Sequence, residues 1–136
     1  MMNFLLADKL SHIQIGEFVS KIFDCSIDRV KVFEMDEFHS LTPEELDNFE
    51  VDCVCKIMPV RGDASLILEL IRYKITDDEV FNRIVKTATK EKVRCYIAYD
   101  DFYDWIYAGE GDSPRHVSEI PSDEDDYISF RPIDAT

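Results

Sequence analysis

The sequence predicts an α+β fold, with a mixed or mostly antiparallel sheet on which two main helices and one short helix pack. Three capping signatures mark helix starts, several runs alternate apolar and polar residues, and two of these runs are separated by a Gly-containing gap of hairpin length. A chain of 136 residues can bury one core, so we expect a single domain over residues 1–136.

The three predicted helices begin after a Ser or Thr that can cap a free backbone N–H, with Gln or Glu three positions later. In the first helix, Ile15, Phe18 and Ile22 follow the spacing of one buried face. Pro43 opens the second helix, which has the length of one or two turns. The predicted helices span residues 11–23, 43–49 and 77–92.

The strands between these helices are predicted from alternation and from β-branched residues. They span residues 30–35, 51–60, 64–73 and 93–99. Arg61-Gly62-Asp63 separates the second strand from the third and matches an integrin-recognition tripeptide, but its position predicts the turn of a long hairpin. Apolar residues on both faces of the strand 64–73 predict a central position, covered on both sides.

The composition changes after residue 99, where short β-prone pieces alternate with Gly-, Pro- and Asp-rich turns. These pieces, residues 105–108, 117–120 and 127–130, predict an acidic meander over residues 100–136 at the edge of the sheet. Residues 100–136 contain eleven acids and two arginines, a net charge of −9, whereas the first 99 residues contain 18 acids and 13 bases, a net charge of −5.

The total net charge of −14 limits which classes of binding partner we expect. Nucleic acids and anionic membranes are bound through Lys and Arg, so we expect neither as a direct partner. A basic protein is favoured. The sequence shows no signal peptide and no apolar run of membrane-spanning length, so we expect a soluble cytoplasmic protein, a monomer or weak dimer, with reduced cysteines.

Motifs for catalysis or for metal binding are missing from the sequence. Cys53 and Cys55 share one strand face without a second pair or a nearby His, so we expect them to pack as small apolar side chains. The four glycines do not form a phosphate-binding loop, and no motif joins a His to a nucleophile. We therefore predict no catalytic residue, no metal and no cofactor.

Aromatic residues among the acids make the meander the predicted partner-binding surface, because buried aromatic anchors rimmed by charge are typical of protein interfaces. The alternative is that Trp105 and Tyr107 fill the core while the acids face water. The residues predicted to contact a partner are Asp100, Asp101, Tyr103, Asp104, Glu110, Asp112, Asp123, Glu124, Asp125 and Asp126.

One stretch carries a family resemblance. From Thr76 to Ala108 the chain has a capped helix that opens Thr-Asp-Asp-Glu, a strand, Asp100-Asp101, and the run Tyr-Asp-Trp-Ile-Tyr at residues 103–107. This stretch, about a quarter of the chain, resembles immunity proteins of bacterial contact-dependent growth inhibition and related polymorphic toxin systems. The resemblance implies a small protein without catalytic activity that binds and neutralises one cognate toxin domain, often a nuclease.

Two other functions stay open. A DNA mimic that blocks a DNA-binding protein would bind several basic proteins and release them as salt rises. A small hydrolase with an unrecognised site would have a deep pocket that holds His and carboxylates together.

Overall fold

The computed structural model describes residues 1–98 and 104–133 and confirms the α+β fold. Within these residues a mixed, mostly antiparallel open sheet of nine strands packs with four helices and a short 3-10 turn at Ile27–Arg29. The strands are β1 Met2–Leu6, β2 Val30–Glu34, β3 Cys53–Pro59, β4 Arg61–Gly62, β5 Leu66–Ile71, β6 Cys95–Ala98, β7 Asp104–Ala108, β8 Arg115–Ile120 and β9 Tyr127–Pro132. The helices are α1 His12–Ile22, α2 Met35–Ser40, α3 Pro43–Asp47 and α4 Asp77–Glu91.

The sheet has the strand order β2-β3-β5-β1-β6-β7-β8-β9-β4. β2 is parallel to β3, β4 is parallel to β9, and the other pairs are antiparallel. β3 and β5 form the predicted hairpin, and β5 has an interior position, as its apolar residues on both faces predict. Leu68 is fully buried on one face of β5, while Ile67 packs against apolar residues on the other.

β1 is a strand that the sequence analysis did not predict. It lies between β5 and β6, with Phe4 opposite both Leu68 and Ile97. Phe4, Leu5 and Leu6 are all buried, so the strand is covered on both faces. Asn3 is polar, but the next three residues, Phe4, Leu5 and Leu6, are apolar without alternation, so periodicity cannot identify this short run as a strand.

α1 and α4 cover one face of the sheet, and their starts follow the predicted capping. Ser11 Oγ accepts a hydrogen bond from Gln14 N, and the Gln14 side chain accepts one from Ser11 N. Thr76 Oγ1 accepts from Glu79 N at the start of α4. Ile15 and Ile84 of these helices are fully buried in the main core beneath them.

α2 is a second element that was not predicted, and it begins where the strand 30–35 was expected to end. Glu37 of its first turn accepts a hydrogen bond from Glu34 N. Phe38 packs near Phe33 and lies 4.5 Å from the Lys56 ammonium, measured to the ring centroid. Lys56 lies between the core residues Cys55 and Ile57 on β3, so α2 packs on the sheet face opposite α1 and α4.

The cysteines of β3 lie in the main core, as predicted. Cys53 and Cys55 have no exposed surface and pack with Ile57 and Leu70. Burial raises the pKa of the Cys53 thiol to about 12, so it stays protonated at neutral pH.

The C-terminal strands β7, β8 and β9 follow one another as antiparallel neighbours, and we call residues 104–133 the meander. On the sheet face opposite α1 and α4, Tyr107 and Val117 of the meander join Tyr96 and Leu5 in a second apolar cluster. The candidate functional surface lies next to this cluster.

Candidate functional site: the acidic turns and the meander cavity

The structure describes seven of the ten residues predicted to contact a partner and places them at two ends of the meander. Asp104 begins β7 opposite Ser118 of β8, so it lies at the same end as the β8–β9 turn, residues 121–126. Glu110 and Asp112 lie in the β7–β8 turn at the other end. A five-residue strand separates the two ends by roughly 16 Å. Asp100, Asp101 and Tyr103 lie outside the described residues.

The β8–β9 turn is divided between acids that are paired and acids that are not. Arg61 donates two hydrogen bonds of 3.0 Å to the two carboxylate oxygens of Asp126, and its Nη2 also donates to Glu124. This pairing lowers the pKa of the Asp126 carboxyl. Asp123 and Asp125 are exposed, and within the described residues no cationic group pairs with them. Two of the four predicted carboxylates are therefore already paired with one arginine of the chain itself.

Arg61, Gly62 and Asp63 together hold β9 against the β3–β5 hairpin, and we call them the β4 clamp. Besides the Arg61 pairs, Arg61 N donates to Asp126 O at 2.7 Å and Asp63 N donates to Ile128 O at 2.8 Å. Asp63 Oδ2 accepts from Phe130 N at 2.8 Å. The tripeptide does join β3 to β5, as predicted, but sequence reasoning missed its partners because they lie more than sixty residues further along the chain.

Three aromatic residues of the meander form a row with Tyr96 of β6. Phe130 stacks on Tyr96 with ring centroids 4.0 Å apart, and Tyr96 stacks on Tyr107 at 4.7 Å. Trp105 meets Phe130 edge-on at 5.5 Å. We call these four residues the aromatic row. Tyr107 is only 8% exposed, so it fills the core, as the alternative interpretation predicted, and Trp105 is partly buried beside it.

A half-open cavity of about 500 Å³, the meander cavity, borders this row. Its apolar lining includes Tyr96, Tyr107 and Phe130. Its polar lining consists of Asp63, Glu110, Arg115, His116 and Arg131. The cavity could not be predicted from the sequence because its lining comes from four separated segments, and no local pattern joins them.

The Glu110 carboxylate lies at the rim of the cavity and is held there by two contacts. The Tyr107 hydroxyl donates a hydrogen bond of 2.7 Å to Glu110 Oε2, and Arg115 Nη2 lies 3.1 Å from the same oxygen. Burial, together with this hydrogen bond to a carboxylate, raises the pKa of Tyr107 to about 12. Arg115 also lies over the Tyr107 ring, 5.4 Å from its centroid.

Residues 1–98 and 104–133 contain neither a metal-binding cluster nor a membrane-spanning helix. No group of three or more His, Cys, Asp or Glu side chains there is arranged to hold a metal ion. No helix in the same residues has the length and apolar character needed to cross a membrane.

Comparisons of the chain with protein-family models, with curated proteins and with solved structures found no match.

Proposed function

We propose that this protein neutralises a basic toxin domain, of nuclease type, by forming a tight complex with it in the cytoplasm, as immunity proteins of polymorphic toxin systems do. The observation that carries the proposal is the pair of exposed carboxylates Asp123 and Asp125, which no cation of the described chain pairs with. They lie in the third of the sequence that carries most of the net negative charge.

The charge complementarity has a physical rationale. A nuclease holds phosphates with Lys and Arg, and an acidic surface can cover the same side chains. Complementary charge also steers the two proteins together and raises the association rate constant. Fast association suits an inhibitor of a nuclease, because the inhibitor must bind the toxin before the toxin reaches nucleic acid.

The division of the β8–β9 turn predicts which acids contact the toxin. Asp123 and Asp125 have free carboxylates, whereas Glu124 and Asp126 are bound by Arg61. Asp104 lies at the same end and Asp112 at the other, and a protein interface of standard size covers both ends. The binding surface on the described residues is therefore centred on Asp123 and Asp125.

The first test identifies the partner and its activity. The tagged protein is used to capture partners from cells of its source organism at low and high salt. A captured basic protein is then expressed alone in a test strain. We expect it to arrest growth, and co-expression of this chain to restore growth. Several DNA-binding proteins that are released at high salt would instead support the DNA mimic.

The second test removes charges from the turn. The double variant Asp123→Asn/Asp125→Asn should weaken binding of the captured toxin by about tenfold or more, mainly through slower association. The matched control, Glu17→Gln/Glu44→Gln, removes two exposed charges from α1 and α3 and should change the affinity by less than about twofold. Equal effects of the two variants would contradict the assignment of the surface.

A small hydrolase is the second candidate, because the meander cavity does hold His116 together with Asp63 and Glu110. This candidate predicts that the protein alone hydrolyses p-nitrophenyl esters or phosphates and that His116→Ala abolishes the turnover. If the unmodified protein shows no more turnover than His116→Ala, the hydrolase candidate is excluded.

A further inference from the structure

The charged lining of the meander cavity is balanced, with two arginines and two carboxylates, although the segment around it is strongly acidic. Residues 100–136 contain only two basic residues, Arg115 and Arg131, and both of them line this one cavity. Arg115 pairs with the exposed carboxylate of Glu110, whereas Arg131 has no ion pair with any described residue. A guanidinium group without a carboxylate partner, beside a second one at the same cavity, indicates a site for an anion.

The two guanidinium groups retain donors for a ligand. Arg115 contacts Glu110 through Nη2, and a guanidinium group has five N–H donors in all. Arg131 has no ion pair with any described residue. The acid Glu110 is occupied by Arg115 and by the Tyr107 hydroxyl, so it repels an incoming anion less than a free carboxylate would.

The aromatic part of the cavity lining fits a ligand with a flat, apolar ring system. Tyr96, Tyr107 and Phe130 form one wall, and their stacking fixes the ring positions. Asp63 of the β4 clamp accepts a hydrogen bond from Phe130 N and so holds β9 in place beside the cavity. The volume of about 500 Å³ is within the range of about 300–1,000 Å³ found for small-molecule sites.

We propose that the meander cavity binds a small organic anion with an aromatic body and one carboxylate or phosphate group. Arg131 and the free donors of Arg115 hold the anionic group, and Tyr96, Tyr107 and Phe130 contact the aromatic body. This site goes beyond the proposed function and does not depend on a toxin partner.

The test uses the full chain and three probes of matched shape. Calorimetric titration compares 2-naphthoate and 2-naphthyl phosphate with the neutral 2-naphthamide. We expect at least one of the two anions to bind about tenfold more tightly than the amide, because a charge-assisted hydrogen bond to a guanidinium is lost with the amide. Amide chemical shifts should change in β8 and β9. Equal binding of all three probes, or no binding of any, would overturn the proposal.

Two arginine variants locate the site. Arg131→Gln, at an exposed position without an ion pair among the described residues, should reduce anion binding to the level of the amide. The control, Arg72→Gln, removes an equal charge from an exposed pair with Asp47 and should leave anion binding within about twofold of the unmodified protein. Equal loss in both variants would show a general charge effect and contradict a site in the cavity.

Discussion

Gly62 allows the β4 clamp to lie directly against β9. Its φ of +100° is a backbone conformation that residues with a side chain rarely adopt. A Cβ atom there would lie 2.2 Å from the Ile128 carbonyl oxygen, which is backbone and cannot move aside alone. Gly111 also has a positive φ, of +79°, but nothing lies within 4 Å of its missing Cβ.

These two glycines give a matched prediction. Gly62→Ala should lower the free energy of unfolding by about 3 kcal/mol or more, because backbone strain and a steric clash add together. Gly111→Ala should cost about 1 kcal/mol, from strain alone. Urea unfolding followed by circular dichroism measures both values. Similar costs for the two variants would contradict the close approach of β4 to β9.

Asp126 gives a prediction about pH. Arg61 lowers the pKa of this carboxyl below its ordinary value of 3.8. Because the folded pKa lies below the unfolded one, the pair stabilises the fold fully above that ordinary value, and the stabilisation is lost as the pH falls through the lowered pKa. In the Arg61→Gln variant, an NMR titration should show the pKa of Asp126 returning upward. An unchanged pKa of Asp126 would show that the pair does not persist in solution.

At the scale of elements, α1, α3 and α4 could be predicted, whereas α2 and β1 could not. The starts of α1, α3 and α4 depend on contacts between residues three apart, so a short stretch of sequence contains them. β1 makes its hydrogen bonds with β5 and β6, some sixty and ninety residues away. α2 is six residues long and packs on Lys56 of β3, so its own sequence carries too little signal.

Because β1 is central in the sheet, a single substitution in it should lower the free energy of unfolding considerably. Leu6 has no exposed surface, and Leu6→Ala should cost about 2–5 kcal/mol in the free energy of unfolding through lost burial and the cavity left behind. Ile13→Ala in α1, where Ile13 is 69% exposed, should change stability by less than about 0.5 kcal/mol. Urea unfolding midpoints compare the two. A small cost at Leu6 would mean that β1 is not part of the main core.

For the whole molecule, the net charge of −14 predicts that salt stabilises the fold. Raising the ionic strength from about 0.01 M to 0.1 M shortens the Debye length from about 30 Å to about 10 Å and screens the self-repulsion of the chain. We expect a rise of a few degrees in the thermal midpoint, measured by calorimetry. Asp123→Asn/Asp125→Asn, with a charge of −12, should show a smaller rise. A midpoint that falls with salt would mean that the ion pairs outweigh the repulsion.

The sequence by itself determined the α+β class, the three capped helices, the β3–β5 hairpin and the concentration of acid in the last third, because each is a property of composition or of residues close together. Only the tertiary structure decided that Arg61 pairs with Glu124 and Asp126, that Tyr107 lies in the core, and that Arg115 and Arg131 converge on one cavity. These contacts join segments up to 65 residues apart. Charge counting treats all acids of a segment alike, whereas pairing across the sheet separates those that are neutralised from those that remain free.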